Sequence, residues 1–283
     1  MKWLVCVMVL APFVAHAGPP KKVVEWTLTN RGDDADSAVR FGFDSQGVNE
    51  NARTWQDANH DRRDLIELRD PTIATAVDGK SAWAATTARR GSQCAGLTGT
   101  IDKCKEDEEP AVNALVLYDK DGKKWNPVVV HSAIPVTAKD QTKRIADGVK
   151  LGAIATHVDP TAEAAVTVFK AALADPKLLA ASVSARKDVV LFGSAPKEKF
   201  VGGAKVAATL AKWKLALAVR DGIAAGTTAS KTVAWVAANV DAKPADQPAA
   251  AATPYRVLCL YELEKGKDWR LVAMTFSFTT PAP

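Results

Sequence analysis

The stretch from Thr232 to Phe278 restricts what this chain can fold into more than any other. It reads TVAWVAANVD, an Ala/Pro-rich loop, then YRVLCLYELEKGKDWRLVAMTFSF. These are three runs dense in the β-branched and aromatic residues that suit strands. A rougher copy stands earlier in the chain. Arg69-Asp70 precedes Trp83 much as Arg220-Asp221 precedes Trp235, and SAWAATT matches VAWVAAN. Each copy then has a polar loop ending in proline, Pro110 or Pro254. After it, ALVLYDKDGKKWNPVVVHS matches VLCLYELEKGKDWRLVAMTFS. Upstream, VRFGFDSQG is weakly like VVLFGSAPK. Four matches in one order indicate an internal repeat, which recasts the whole fold.

Strand alternation adds a constraint. Tyr255, Val257, Cys259, Tyr261 and Leu263 share one face, while Leu258 and Leu260 point to the other. An antiparallel sheet with one wet face would alternate apolar and polar residues, so both faces need cover. Helices can supply one cover, and the sheet of the other repeat is the natural second, as an aligned sheet-on-sheet packing.

The helices concentrate between the two copies. Asp159-Pro160 reads as an N-cap with proline at the first helical position. Ala162, Ala165, Val166, Phe169, Ala172 and Leu173 then recur on one helical face. Asp175-Pro176 restarts a short second helix, DVVLFGS is a strand, and a third helix carries Val206, Thr209, Leu210 and Trp213 on one face. LALAVRDGIAAGTT opens the strand series of the second half. In the first half, strand runs flank Asp78-Gly79 and the DKDGKK turn, and VVEWTL and AVRFGF are read as strands. The first copy lacks a counterpart of the helix after Asp159. The order predicts an α+β protein with helices on one face of a curved antiparallel sheet.

With DVVLFGSAPKEKFVGG ahead of the third helix, KTVAWVAANVD, and a closing hairpin ending WRLVAMTFS, the second half resembles the nuclear transport factor 2-like fold. Within that superfamily it is similar to the SnoaL-like, ketosteroid-isomerase-related domains. The resemblance covers 156–280 well and 36–134 weakly. It implies a cone-shaped α+β domain with a ligand cavity between the third helix and the sheet, and a second, degenerate copy packed as a pseudo-dimer. In ketosteroid isomerases a carboxylate base stands on the first strand. The matching positions here are Val190, Leu191 and Phe192, all apolar. The oxyanion donors of that family, a tyrosine and a protonated acid, have no clear counterparts.

The first residues, MKWLVCVMVLAPFVAHAG, have the three parts of a secretory signal: Lys2, an apolar run, and Ala15-His16-Ala17. That run is shorter than the ~20 residues of a membrane-spanning helix. Export would place Cys94 and Cys104, in CAGLTGTIDKC, in an oxidising compartment where they are well placed to pair. Such a small loop contributes at most about 3 kcal/mol. Cys259, in VLCLY, reads as a small buried hydrophobe. A net charge of +5, dispersed along the chain, gives no basic face for nucleic acid.

Few residues suggest chemistry. Asp221 is the most tempting acid, preceding a strand in the expected pocket wall. Its match to Asp70 in the other copy favours a role in a turn or ion pair. Glu198, in APKEKF, either caps backbone amides or binds at the cavity mouth. Trp213 and Trp235 either line a cavity between the third helix and the sheet or fill a core. His60, His131 and His157 fall on separate elements without a carboxylate cluster, so no metal is indicated. Gly202-Gly203 alone is no phosphate loop.

The sequence therefore predicts a leader (1–17), a degenerate SnoaL-like repeat (18–135), a connector (136–155) and a complete SnoaL-like domain (156–283). Its expected role is that of an exported, non-catalytic, periplasmic or secreted protein without a cofactor. It would be a monomer that binds a small apolar molecule or a protein partner. The alternatives are an isomerase- or cyclase-type enzyme working in the second cavity, and an envelope protein whose cavities are filled by side chains.

Overall fold

The structure is a computed structural model. It describes residues 18–29, 39–41, 48–49, 65–91, 112–146, 152–247, 249–265 and 267–278. The leader, Cys94, Cys104 and His60 lie outside the described residues.

The first half begins with helix α1 (Lys21–Thr29). A six-stranded sheet follows, made of β1 (Val39–Phe41), β2 (Val48–Asn49), β3 (Leu65–Thr75), β4 (Ser81–Gly91), β5 (Val112–Asp121) and β6 (Lys124–Ala133). Its order is β2-β1-β6-β5-β4-β3. After the connector helix α2 (Ala138–Ala146) come β7 (His157–Val158), a 3-10 turn (Pro160–Ala162), α3 (Glu163–Ala174) and α4 (Pro176–Ser182). The chain continues through β8 (Val190–Phe192), β9 (Lys199–Val201), α5 (Gly203–Ala211), β10 (Leu215–Thr227), β11 (Val233–Pro244), β12 (Thr253–Glu264) and β13 (Asp268–Ser277). The second sheet runs β7-β10-β11-β12-β13-β8-β9.

Local chemistry sets the helix ends. Asp159 Oδ1 accepts from Thr161 N at 2.8 Å, and Asp175 Oδ1 accepts from Lys177 N at 2.7 Å. Each capped aspartate is followed by a proline at the first helical position. The six residues expected on one helical face from Ala162 to Leu173 are all buried. One expectation fails. VVEWTL was read as a strand from its β-branched residues, yet it lies in α1. Val24 and Thr27 are fully buried there, and Thr27 Oγ1 bonds the Val23 carbonyl one turn back. Burial of one helical face against the outer side of the first sheet outweighed intrinsic strand preference.

Six strands follow the same order and directions in both sheets, and β7 is the seventh strand of the second alone. In each, four antiparallel strands form the body, β3 to β6 or β10 to β13. A short strand then runs parallel to the last of them: β1 on β6, and β8 on β13. Their irregularities coincide as well. β3 bulges between Arg69 and Thr72, and β10 between Val219 and Ile223. The register of β5 on β6 slips between Leu117 and Tyr118, and that of β12 on β13 between Leu260 and Tyr261. Asp70 in one sheet and Arg220-Asp221 in the other are thus bulge residues, which bend and twist a strand.

Three apolar clusters organise the interior. One lies between the second sheet and helices α3, α4 and α5. A second lies under α1 on the outer face of the first sheet. The third joins the sheets: Trp83, Leu115, Leu117 and Val129 of the first pack with Val233, Trp235, Leu258 and Leu260 of the second. Both faces of β11 and β12 are therefore covered. The connector closes one side of this seam, with Ile154 buried in it. At Gly222, in the β10 bulge, a Cβ would stand 2.1 Å from the Ile154 carbonyl oxygen. Gly222→Ala is expected to cost about 1–3 kcal/mol by pushing the connector off the bulge. Urea denaturation of the variant measures it, and an unchanged midpoint would refute the close packing.

Candidate functional site

The region between the second sheet and its helices, called the chamber below, holds the larger apolar cluster of the second half. β11 turns Ala234, Val236, Ala238 and Val240 toward the helices, small residues that leave room for bulk elsewhere. That bulk comes from Phe169 and Leu173 of α3, Leu210 of α5, and Tyr261, Met274 and Phe276 of the sheet. One end is aromatic. The Trp213 and Phe276 rings meet edge to face at 5.0 Å, and Tyr255 lies 6.0 Å from Phe276 and 6.1 Å from Phe278. Tyr255 Oη donates to Gln141 Oε1 of α2 at 3.1 Å, and Gln141 Nε2 donates to Ser194 Oγ at 2.9 Å.

Deeper on β12 lies a polar exception. The Tyr261 hydroxyl is fully buried, and among the described residues it meets no nitrogen or oxygen partner, only the weakly accepting Cys259 thiol beside it. Burial, with the Cys259 thiol beside it, pushes the phenol well above its ordinary pKa. Burial likewise pushes the Cys259 thiol up, so it stays protonated and inert. Both groups are thus neutral donors in an apolar chamber. Among the described residues the buried carboxylate and the buried imidazole, Glu262 and His131, both lie at the seam and not in this cluster.

Charged groups sit instead around the seam between the sheets. Glu262, 1% exposed, accepts from Arg186 Nη1 at 2.8 Å and from Val77 N of the first half at 2.6 Å. Arg186 also donates to Asp188 and to the Thr75 carbonyl, and stacks 4.8 Å over the Trp83 ring. Asp119 occupies in β5 the register position that Glu262 holds in β12. It accepts from Ala229 N of the second half at 2.8 Å. Val77 and Ala229 themselves follow matching strands, so the two halves exchange equivalent acid-to-amide bonds. Burial pushes both carboxyls above their ordinary pKa, partly offset by those amides. Ser81 and Ser230 hydroxyls meet between them at 3.1 Å, and Thr232 bonds Asp78.

The opposite end of the seam carries a second network. His131 Nε2 and Ser277 Oγ lie 3.0 Å apart, across the two halves. Arg256 and Asn239, both fully buried, each donate to the Gly152 carbonyl at 2.8 Å, and Arg256 Nε donates to Asn239 Oδ1 at 3.1 Å.

The candidates from sequence separate accordingly. Asp221 is exposed in the β10 bulge and accepts from Asn239 Nδ2 at 2.8 Å, away from the chamber. Glu198 Oε2 accepts from Ala195 N at 3.0 Å and folds over Gly193, closing the β8–β9 turn. Trp213 is at the aromatic end of the chamber. Trp235 is not: the alternation that sends Ala234 and Val236 inward turns its indole into the seam, where Gly226 makes room for it. Reading from sequence missed the Tyr261 hydroxyl, although the alternation already placed it on the face of Cys259. It also missed Gln141, Arg186 and the seam role of His131. His157 is exposed. Among the described residues no group of three or more His, Cys, Asp or Glu could hold a metal, and no helix is long and apolar enough to cross a membrane.

No protein-family model and no curated protein matches the chain. Solved structures do. The neighbours are nuclear transport factor 2-like proteins. One is a superfamily protein from Salmonella enterica, 18% identical, covering 42% of this chain and 87% of its own, with a TM-score of 0.32. Another is nuclear transport factor 2 from Cryptosporidium parvum, 8% identical, covering 44% and 98%, at 0.34. A third is an LEH-like epoxide hydrolase from M. tuberculosis, 18% identical, covering 42% and 78%, at 0.30. At such identities the likeness concerns fold alone.

The Arg186–Glu262 contact yields a test of the seam. Glu262→Ala strips Val77 N of its acceptor and is expected to cost about 3 kcal/mol. Arg186→Ala in that background should add far less than it does alone, with a coupling above about 1 kcal/mol in a denaturation double-mutant cycle. Additive losses would show that the two side chains do not act as one clamp.

Proposed function

We propose that this protein is a non-catalytic binder, and that the chamber of its second half takes a compact apolar molecule bearing one hydrogen-bond acceptor. The observation that carries this reading is the Tyr261 hydroxyl, a buried donor that has only the weakly accepting Cys259 thiol beside it among the described residues. Leaving such a group unpaired costs about 1–3 kcal/mol, a penalty that a carbonyl or ether oxygen of a guest would relieve. The rest of the lining is apolar and supports affinity through burial rather than charge. Val190, Leu191 and Phe192, buried where a base would stand, argue against the isomerase alternative.

In this reading the chain is exported, with the leader-like first seventeen residues removed. Its halves are then tandem copies that form an intramolecular pseudo-dimer, each a cone-like unit with the first degenerate. Support comes from the matching strand orders and bulges and from the exchanged Glu262–Val77 and Asp119–Ala229 bonds. Such reciprocity is expected of an isologous interface. A second reading, a scaffold with a filled chamber, is favoured by the complete burial of Phe169, Leu210 and Leu271.

Tyr261→Phe distinguishes the two. A ligand co-purifying with the wild-type protein, seen by native mass spectrometry, should bind the variant about tenfold more weakly. The ligand-free variant should be as stable as the wild type or more so. A chamber that retains no molecule, with a variant changed only in stability, would establish the filled scaffold instead.

A further inference from the structure

His131 is the one histidine that the described residues bury, at 1% exposure, and it sits where the two halves meet. It lies on β6 opposite Leu115 of β5. Its Nε2 is 3.0 Å from Ser277 Oγ on β13 of the other sheet. Ser277 Oγ in turn lies 3.3 Å from the Arg256 carbonyl, to which it donates, so Nε2 is the donor to Ser277 and Nδ1 is the bare nitrogen. Nδ1 is buried and has no hydrogen-bond partner among the described residues.

A proton arriving at Nδ1 would create a buried charge, which the residue's own backbone carbonyl offsets only in part. It would do so beside a cation. The charged groups described at this end are Arg256 of β12 and Asp221 of β10, and Asp221 reaches the cluster only through Asn239. The side chains facing from β5 and β13 here, Leu115 and Ser277, carry no charge. In the matching position of the second sheet stands Thr275, which cannot titrate, so the liability belongs to one half alone.

We propose that His131 makes this end of the seam an acid-responsive joint. Protonating its ring separates β6 from β13, while the far end, fastened by Arg186 and Glu262, stays closed. Burial, then the nearby Arg256 charge, lower the His131 pKa from 6.5 to about 3. The folded joint thus binds fewer protons than the opened one. Its stabilisation is complete above about pH 6.5 and is lost progressively as pH falls toward 3. Between pH 7 and pH 5 the opening equilibrium should rise about 30-fold.

Hydrogen exchange of the full chain, corrected for intrinsic rates, tests the joint. The expected result is about 30-fold greater opening at pH 5 in 128–133 and 273–277, with 74–82 unaffected. His131→Gln, which is neutral throughout, should abolish the increase, and His157→Gln should leave it intact. His131→Thr, carrying the residue of the matching strand, replaces the glutamine variant if that one fails to fold. Ring NMR of the wild-type protein gives a readout independent of any variant: the His131 ring should remain neutral at pH 5. A ring that titrates near pH 6.5 would overturn the proposal. So would uniform loss of protection, or an acid response that survives in the variants.

Discussion

Strands β11 and β12 present apolar side chains on both faces, and that single demand organises the rest of the molecule. A sheet of this kind cannot leave either side wet without exposing Trp235, Leu258 and Leu260 or Val236, Val257 and Tyr261. Helices α3 to α5 satisfy one side. The other is satisfied by a sheet with the same order of six strands, whose own seam residues Trp83, Leu115 and Leu117 have the same need. Each half thus supplies the cover that the other lacks. The first sheet's remaining face turns to α1, which explains why the β-rich VVEWTL became a helix.

Apolar contact alone is non-directional and would tolerate sliding of one sheet over the other. The polar rim removes that freedom. Glu262 and Asp119 each take a backbone amide from the turn of the opposite half, and Arg186 reaches the Thr75 carbonyl while lying over Trp83. At the other end Arg256 and Asn239 tie the connector to the second sheet through Gly152. Such hydrogen bonds add little net stability each, but an offset of the sheets would leave buried charges unpaired, a much larger penalty. Register across the seam is a consequence of that asymmetry.

The legible part of the sequence was the part governed by local period and local chemistry. Alternation in YRVLCLYEL, the Asp-Pro caps, and turns such as Asp78-Gly79 read correctly because neighbours along the chain determine them. The likeness of the two stretches around Trp83 and Trp235 has a counterpart in their matching strand pairings. VVEWTL failed because tertiary burial of Val24 and Thr27 overrode strand preference. The site residues are a different matter. Asp221 and Glu198, read chiefly as turn or capping acids, sit on a bulge and in a turn. Tyr261 and His131 became noteworthy only once a second element, distant in sequence, had sealed them in. A donor without an acceptor is a property of three-dimensional surroundings, and a single chain of letters carries no trace of it.

The two halves also divide their burdens unequally. Where the second sheet has Arg256 and Asn239, the matching positions of the first are Asn113 and Thr87, joined by a 3.2 Å hydrogen bond. The second half thus holds the buried charge, and the first holds the buried histidine that faces it. Neither arrangement would be tolerable in a symmetric pair. Two copies of Arg256 would repel across the seam, and two copies of His131 would leave two bare nitrogens in it. Within one chain, each position of a half is free to differ from its counterpart in the other.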